Sequence, residues 1–278
     1  MRRRSLVLGA GAGLLALPAI RPARADTFAD VKKKGLLTVG TEAAYVPYEY
    51  IKDGQIVGYD VDIADHLIAQ VNAKAQFIDT AWNGIIPALY AGKFDCIISG
   101  MTMTKERADK ILFTQPYADA SLVILVRADE ARIKTADDLS GKIIGVQLGS
   151  AAAGIIKDFD NNKLKAAGKP SYADVKQYEH YPEAYQDLLN KRTDAVINSR
   201  STLMVLMRDA PGKFKMLGGV SDIPAYYGMA FRKDDKTLCA FFNDGLTAMK
   251  KDGSLEKLQV KWFGSPMPTP DTIPAVLP

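Results

Sequence analysis

The sequence has few of the residues that build metal centres and disulfides. Its 278 residues include two cysteines and two histidines, with no C-x-x-C pair and no cluster of histidines, so we expect neither a metal site nor a cofactor. Cys96 lies in an apolar run and Cys239 in a helical pattern, which favours two small buried side chains over a disulfide. His66 and His180 are expected at the surface. No G-x-S-x-G nucleophile motif and no phosphate-binding loop are present, and no catalytic residue is assigned.

An excess of charge of one sign is also missing from most of the chain. There are 36 Lys and Arg residues against 32 Asp and Glu residues, but five of the basic residues lie in the first 25 positions, where there is no acid. From Asp26 onward 31 basic residues face 32 acidic ones. A nucleic-acid-binding protein needs a basic surface, so nucleic acid is excluded as a partner. With 47% hydrophobic residues the chain has enough apolar material for a globular core.

No hydrophobic run is long enough to span a membrane. The longest candidate, residues 6–20, has fifteen uncharged residues, whereas a spanning helix needs about 20. It follows a basic start and precedes Ala23-Arg24-Ala25, so residues 1–25 predict a signal peptide that is cleaved after Ala25. The pair Arg3-Arg4 also matches the twin-arginine export pattern, and the general secretory route stays open. The mature chain is therefore expected outside the cytoplasm.

The order of apolar patterns predicts an α/β fold with two lobes. Short β-rich runs alternate with helical patterns twice, over residues 36–99 and again over residues 143–208, and this order favours mostly parallel sheets flanked by helices. Two extended runs without a crossover helix, 120–127 and 226–232, are suited to connect the lobes. We predict a first lobe over 26–120, a second over 121–228, and a return to the first lobe over 229–278 that ends in a surface tail.

Polar residues cluster in the loops that follow the predicted strands. Because ligands bind at the carboxyl ends of strands in open α/β sheets, such loops from two lobes would line one cleft. In one of them Thr104 is a predicted helix N-cap, and Arg107 falls in the first helical turn, where a guanidinium beside free amides can bind a carboxylate. The turn over residues 149–152 offers a second anion-binding helix N-terminus. Each feature by itself is also typical of an ordinary cap or a solvated side chain.

A resemblance extends this interpretation. The run Gly58-Tyr59-Asp60-Val61-Asp62-Ile63 resembles the signature of the family 3 extracellular solute-binding proteins, the periplasmic receptors of polar amino-acid ABC importers. Further matching segments cover 40–49, 82–89, 92–117, 138–150 and 194–196. The resemblance implies a monomeric, two-lobed periplasmic protein that closes on an amino-acid-like carboxylate and delivers it to a membrane permease, without enzymatic activity.

The resemblance also implies roles for individual residues. Arg107 would hold the ligand carboxylate with Thr102 and the backbone of Ala151, while Ser99 and Gly100 would offer oxygen atoms to the ammonium group. Tyr45 and Trp82 would enclose the ligand side chain, and Glu42 would pair with a distal cation. The complete predicted ligand site consists of Glu42, Tyr45, Trp82, Ser99, Gly100, Thr102, Arg107, Gly149, Ala151, Asn198 and Ser199.

Two residues depart from the family pattern. Ala151 replaces a common threonine, and Ser199 stands where the family usually has an aspartate that pairs with the α-ammonium. Either another acid supplies that charge, or the ligand has no free α-ammonium; a cationic amino acid or N-substituted amino acid that meets Glu42 is the favoured ligand. Two other functions stay open: a lyase of the cyclohexadienyl-dehydratase type with Glu42 as general acid, and the sensing module of a receptor.

Overall fold

The computed structural model describes residues 26–267, 269–272 and 276–277. The predicted signal peptide and its cleavage site at Ala25 lie outside the described residues. Helices begin and end close to where the apolar periodicity places them. The described residues form nine α-helices: α1 Thr27–Lys34, α2 Tyr59–Ile68, α3 Ile85–Tyr90, α4 Lys105–Lys110, α5 Ala151–Phe159, α6 Tyr181–Leu189, α7 Arg200–Asp209, α8 Lys236–Asp252 and α9 Ser254–Phe263.

Fifteen strands occur in the same part of the chain. They are β1 Leu36–Thr41, β2 Ala44–Tyr45, β3 Glu49–Lys52, β4 Gln55–Val57, β5 Lys74–Asp79, β6 Cys96–Ile97, β7 Ile111–Phe113, β8 Ala118–Asp119, β9 Leu122–Arg127, β10 Ile143–Gln147, β11 Asp174–Tyr178, β12 Ala195–Ser199, β13 Phe214–Gly219, β14 Tyr226–Tyr227 and β15 Ala230–Arg232. Ten of them build two five-stranded sheets, ordered β5-β1-β6-β15-β7 and β11-β10-β12-β9-β13. The predicted two-lobed α/β fold is therefore confirmed.

Each sheet contains one reversed strand. In the first sheet β1 runs parallel to β5 and β6, whereas β15 is antiparallel to β6 and β7. In the second sheet β10 runs parallel to β11 and β12, whereas β9 is antiparallel to β12 and β13. Both reversed strands come directly after the chain has crossed between lobes, where no helix precedes them to restore a parallel direction. The sheets are thus mixed, with most strands in one direction.

The two crossing segments lie side by side. Strands β8 and β14 pair antiparallel, with Tyr226 opposite Asp119 and Tyr227 opposite Ala118. Beside them Tyr48, Tyr59 and Tyr117 are fully buried, and the Tyr48 and Tyr227 rings meet edge to face with centroids 4.9 Å apart. The lobes are therefore joined by a short two-stranded connection next to a core of tyrosine rings.

Gly58, the first residue of the signature run, has to be a glycine for a steric reason. Gly58 precedes α2 with φ 150°, and a Cβ atom there would lie 2.0 Å from the carbonyl oxygen of Tyr48. A side chain at this position would collide with the β3 segment, so only glycine lets the chain turn from the β3–β4 hairpin into α2. The turn brings Asp60, in the first turn of α2, beneath the first sheet.

The C-terminal segment lies only partly at the surface: three of its residues, Pro266, Asp271 and Thr272, are exposed. The sequence predicts a surface tail after α9, but Leu277 is fully buried, and its carbonyl oxygen accepts a hydrogen bond from the Lys105 backbone at 2.7 Å. Proline content indicates only that the segment is neither helix nor central strand; the bridge to Thr104 depends on tertiary packing. Cys96 is buried, Cys239 is half-buried, and both are free.

None of the helices in the described ranges is long and apolar enough to cross a membrane.

Candidate functional site

The loops after the strands of both sheets meet in one cleft. Its innermost part is a cavity of about 20 Å³, lined by eight of the predicted ligand residues: Glu42, Tyr45, Trp82, Ser99, Gly100, Thr102, Ala151 and Asn198. Leu122, Gln147, Ser150, Ala152, Tyr181 and Tyr227 complete its wall. A space of that size holds about one water molecule. An amino acid therefore needs the walls to move apart before it can enter.

Arg107 forms one end of the cleft. The N-cap Thr104 accepts a hydrogen bond from the Arg107 backbone N–H at 3.2 Å, which begins α4 and fixes the direction of the side chain. The guanidinium donates to the carbonyl oxygens of Thr102 at 2.9 Å and Gly149 at 3.0 Å, and it lies over the Trp82 ring, 5.0 Å from its centroid. Burial lowers the pKa of Arg107 to about 10, so the group stays cationic at neutral pH.

Arg107 has no carboxylate partner among the described residues, whose ion pairs all lie elsewhere. A buried guanidinium that meets only neutral carbonyl oxygens keeps its positive charge uncompensated. It can therefore accept an external carboxylate, with which a guanidinium forms two parallel hydrogen bonds.

A second, larger cavity lies outside this end of the cleft. It encloses about 620 Å³, and Arg107 and Gly149 line it together with Trp82. Gly149 O accepts hydrogen bonds from Trp82 Nε1 at 3.1 Å and from Arg107, and these bonds close the wall between the two cavities. Arg107 and Gly149 thus face the outer cavity and not the inner one in this arrangement of side chains.

Glu42 forms the opposite end of the cleft. It is buried, and Gln147 Nε2 lies 2.7 Å from each of its carboxylate oxygens. His180 Nδ1 lies 2.6 Å from Oε1. Burial raises the pKa of the Glu42 carboxyl group, against the opposing effect of the hydrogen bonds from His180 and Gln147. The hydrogen bond to Glu42 raises the pKa of His180.

The aromatic floor of the cleft ties the lobes together. Tyr45 Oη donates to Asn198 Oδ1 at 2.8 Å and lies 3.2 Å from Ser199 Oγ and 2.7 Å from Tyr227 Oη. Ser199 is fully buried behind Tyr45, where its hydroxyl caps α7 and contacts Thr202. Ser199 therefore does not line the inner cavity. Arg200, the first residue of α7, is exposed.

Sequence reasoning missed several residues of the cleft. His180 is expected at the surface, but it lies at the rim of the cleft with 37% of its side chain exposed and contacts Glu42. Gln147, Tyr181 and Tyr227 also face the inner cavity. The position of Gln147 as the last residue of β10 is the one local signal that could have identified it. His180 lies in the loop before α6 and Tyr227 lies in β14, and only the packing of the lobes brings them together.

Among the described residues no group of three or more His, Cys, Asp or Glu side chains has the arrangement of a metal site. The cleft instead offers a guanidinium at one end, a carboxylate at the other and neutral polar groups between them. This arrangement suits a small ligand that carries charges of both signs.

Comparison with known proteins agrees with this geometry. Residues 37–265 match the model of the bacterial extracellular solute-binding proteins, family 3. The L-cystine-binding protein TcyJ of Escherichia coli strain K12 is 31% identical over 261 residues, which cover 91% of this chain and 94% of that protein. An ABC transporter arginine-binding protein of the same strain is 33% identical over 232 residues, which cover 82% of this chain and 90% of that protein.

One solved structure has the same fold as most of this chain. The crystal structure of an ancestral amino acid-binding protein, a precursor of cyclohexadienyl dehydratase, superposes with a TM-score of 0.77 at 36% sequence identity. The match covers 85% of this chain and 99% of that chain.

Proposed function

The chain belongs to the bacterial extracellular solute-binding proteins of family 3, and we propose that it is the periplasmic receptor of an ABC importer for an amino acid that carries a side-chain cation. In this role the protein is exported, works as a monomer, closes its two lobes on the ligand and delivers it to a membrane permease. Relatives that bind cystine and arginine support an amino acid as the ligand.

The observation that carries the proposal is the buried Arg107 without a carboxylate partner in the described part of the chain. Its guanidinium stays positive, lies between the two cavities and donates only to backbone carbonyls. A ligand carboxylate would exchange these neutral acceptors for a charged one, with which the guanidinium can form two parallel hydrogen bonds. Arg107 is therefore the proposed carboxylate anchor.

Glu42 is the proposed partner of the side-chain cation. Its carboxylate lies at the far end of the cleft from Arg107, and its present donors are the neutral Gln147 and the titratable His180. A guanidinium or ammonium of the ligand would take the place of the Gln147 amide when the lobes open and close again. Charges of opposite sign at the two ends then fix the direction in which the ligand lies.

Calorimetric binding of a panel of amino acids tests the proposal. The panel contains L-arginine, L-lysine, L-cystine and L-glutamate, each added to protein that has been unfolded and refolded to remove any copurified ligand. We expect L-arginine or L-lysine to bind more tightly than L-glutamate, because Glu42 repels a side-chain carboxylate. Binding of L-glutamate alone contradicts the role of Glu42.

A matched pair of arginine variants tests the anchor. Arg107→Ala should weaken binding by roughly 2 to 5 kcal/mol, since it leaves a desolvated ligand carboxylate without its partner. Arg200→Ala removes an equal charge from the exposed start of α7 and should leave affinity nearly unchanged. Circular dichroism melts establish that both variants fold. Near-native affinity in Arg107→Ala contradicts the anchor role.

The second candidate function is enzymatic. A similar protein of known structure is a precursor of cyclohexadienyl dehydratase, and burial raises the pKa of Glu42, as a general acid requires. We favour binding without catalysis because both Glu42 oxygens already accept hydrogen bonds. Incubation of the protein with prephenate tests this choice. We expect no phenylpyruvate above the uncatalysed rate, and its accumulation, abolished by Glu42→Gln, would establish the lyase.

A further inference from the structure

Two carboxyl groups are buried together beneath the cleft. Glu49, the first residue of β3, and Asp60, in the first turn of α2, both have no exposed surface. Both contact the Ser99–Gly100 segment, and burial together with the neighbouring charge of Asp60 raises the pKa of Glu49. Among the described residues no ion pair includes either group.

Both carboxyl groups touch the loop that is expected to hold the ligand ammonium. Ser99 Oγ donates to Glu49 Oε1 at 2.8 Å, and the Gly100 backbone N–H donates to Asp60 Oδ2 at 2.8 Å. Tyr117 Oη donates to the same Asp60 oxygen at 2.8 Å. The remaining oxygens, Glu49 Oε2 and Asp60 Oδ1, are buried without a hydrogen-bond partner among the described residues, and a proton shared between the two carboxyl groups would satisfy both.

The pair carries one negative charge. Burial raises the pKa of both carboxyl groups, and two adjacent carboxylates in a dry interior cannot both be ionised. Asp60 accepts two donated hydrogen bonds, from Gly100 and Tyr117, whereas Glu49 accepts one, from Ser99. Because hydrogen bonds to the charged form favour ionisation, the negative charge lies on Asp60 and the proton on Glu49.

The groups that surround this charge are neutral or negative. Tyr48, Tyr59 and Tyr117 pack against Asp60, and burial keeps their hydroxyl groups protonated. Glu42 adds further negative potential at Glu49. The charge is therefore uncompensated inside the lobe, and the cleft side at Ser99 and Gly100 is the direction from which a cation can approach it.

We propose that the Glu49–Asp60 pair is the counter-charge for the α-ammonium of the ligand, acting through Ser99 and Gly100 in place of an acid at position 199. This inference rests on the proposed function. Ser99 Oγ accepts from the Glu42 backbone N–H at 3.0 Å and donates to Glu49, which leaves one lone pair for a ligand N–H. Glu49 and Asp60 are positioning residues, since neither lines the inner cavity.

Two variants separate the charge from the shape of the pair. Glu49→Gln keeps the hydrogen-bond pattern, because the amide oxygen accepts from Ser99 and the amide nitrogen donates to Asp60, and it keeps the charge on Asp60. The double variant Glu49→Gln/Asp60→Asn preserves the size of both side chains and removes the charge. Thermal melts establish that each variant folds.

The readout is the ratio of affinities for matched ligands. L-arginine is compared with 5-guanidinopentanoate, and L-cystine with 3,3′-dithiodipropionate, where the second member lacks only α-ammonium groups. We expect wild-type protein and Glu49→Gln to prefer the amino acid, and the double variant to lose about tenfold or more of that preference. Affinity for the deaminated acids should change little.

The outcomes distinguish this inference from the proposed function. A double variant that weakens both members of a pair equally, or keeps the preference, contradicts the role of the acid pair while amino-acid binding stands. Wild-type protein that binds the deaminated acids as tightly as the amino acids also overturns it. Wild-type protein that binds none of the four compounds contradicts the proposed function, and the inference fails with it.

If the double variant fails to fold, a measurement on the wild-type protein still tests the proposal. Burial raises the pKa of Asp60 to about 6, whereas the ligand α-ammonium does not titrate near that pH. The preference for L-arginine over 5-guanidinopentanoate should fall as the pH is lowered from about 7.5 to about 5.5. The contacts at Arg107, Glu42 and His180 are common to both ligands and cancel in the ratio. A ratio that stays constant contradicts the proposal.

Discussion

Single side chains bridge the cleft, and one of these bridges can titrate near neutral pH. His180, in the loop after β11, contacts Glu42, in the loop after β1, at 2.6 Å. The hydrogen bond to Glu42 raises the pKa of His180 above 6.5, whereas burial, and not the bridge, raises the pKa of Glu42. The bridged imidazole therefore holds its proton more tightly than a separated imidazole does.

The sign of the pH dependence follows. A group whose pKa is raised in the folded protein stabilises it below the unfolded pKa and loses this effect as the pH rises through the folded pKa. We therefore expect the bridge to stabilise the protein below about pH 6.5 and to weaken at higher pH. Because 37% of the His180 side chain is exposed, the effect on the free energy of unfolding should stay below about 1 kcal/mol.

An NMR titration of the His180 ring checks this expectation. The His180 pKa should lie above 6.5 in wild-type protein and fall in Glu42→Gln, which removes the charge and keeps an acceptor. Melting temperatures of both proteins across the same pH range should differ most at the acidic end. A His180 pKa that does not respond to Glu42→Gln means that the two groups do not interact in solution.

Two glycines, one in a strand and one in a helix, differ in how much space surrounds them. Gly40 lies in β1, where a Cβ atom would come within 2.3 to 2.5 Å of three atoms of the Phe94 ring, and Phe94 is itself buried. Gly154 lies in the exposed face of α5, where an added Cβ atom would meet nothing within 4 Å.

The same substitution should therefore have opposite effects at the two positions. Gly40→Ala overpacks the first sheet and should lower the free energy of unfolding by about 1 to 3 kcal/mol. Gly154→Ala replaces a poor helix former and should raise it by about 0.5 to 1 kcal/mol. Urea unfolding measures both. Equal stability of the two variants contradicts the packing of Phe94 against β1.

At the scale of the whole molecule, we expect the cleft to open by rotation of one lobe against the other. The inner cavity of about 20 Å³ is closed by hydrogen bonds between residues of opposite lobes, such as Tyr45 to Asn198 and Tyr48 to Ser201. Over residues 26–267 the chain crosses between the lobes twice, at β8 and β14. A two-stranded connection of this kind permits hinge motion.

Small-angle X-ray scattering tests this motion. We expect the radius of gyration to fall when L-arginine or L-lysine is added, because a bound ligand joins Arg107 in α4 to groups of the second lobe. Arg107→Ala, at the same ligand concentration, should show no change. A radius of gyration that is equal with and without ligand in wild-type protein, under conditions where calorimetry shows binding, contradicts closure.

The sequence by itself determined the local structure and the family. Apolar periodicity depends on which face of an element is buried, so it indicated α2, α5, α6, α8 and α9 within a few residues. The order of these elements predicted two α/β lobes, and the signature at residues 58–63 identified the family, which the comparisons confirm. The position of the site after the strands followed from the topology of parallel sheets.

Only the tertiary structure decided which distant residues meet. Glu42 and His180 are 138 positions apart, Glu49 reaches Ser99 across 50 positions, and Leu277 is buried beside Thr104. No local pattern encodes these contacts, because periodicity records the burial of a face and not the identity of its neighbour. The reversed strands β9 and β15 and the burial of Ser199 likewise depend on how the crossing segments pack, since the free energy of those contacts arises between elements and not within them.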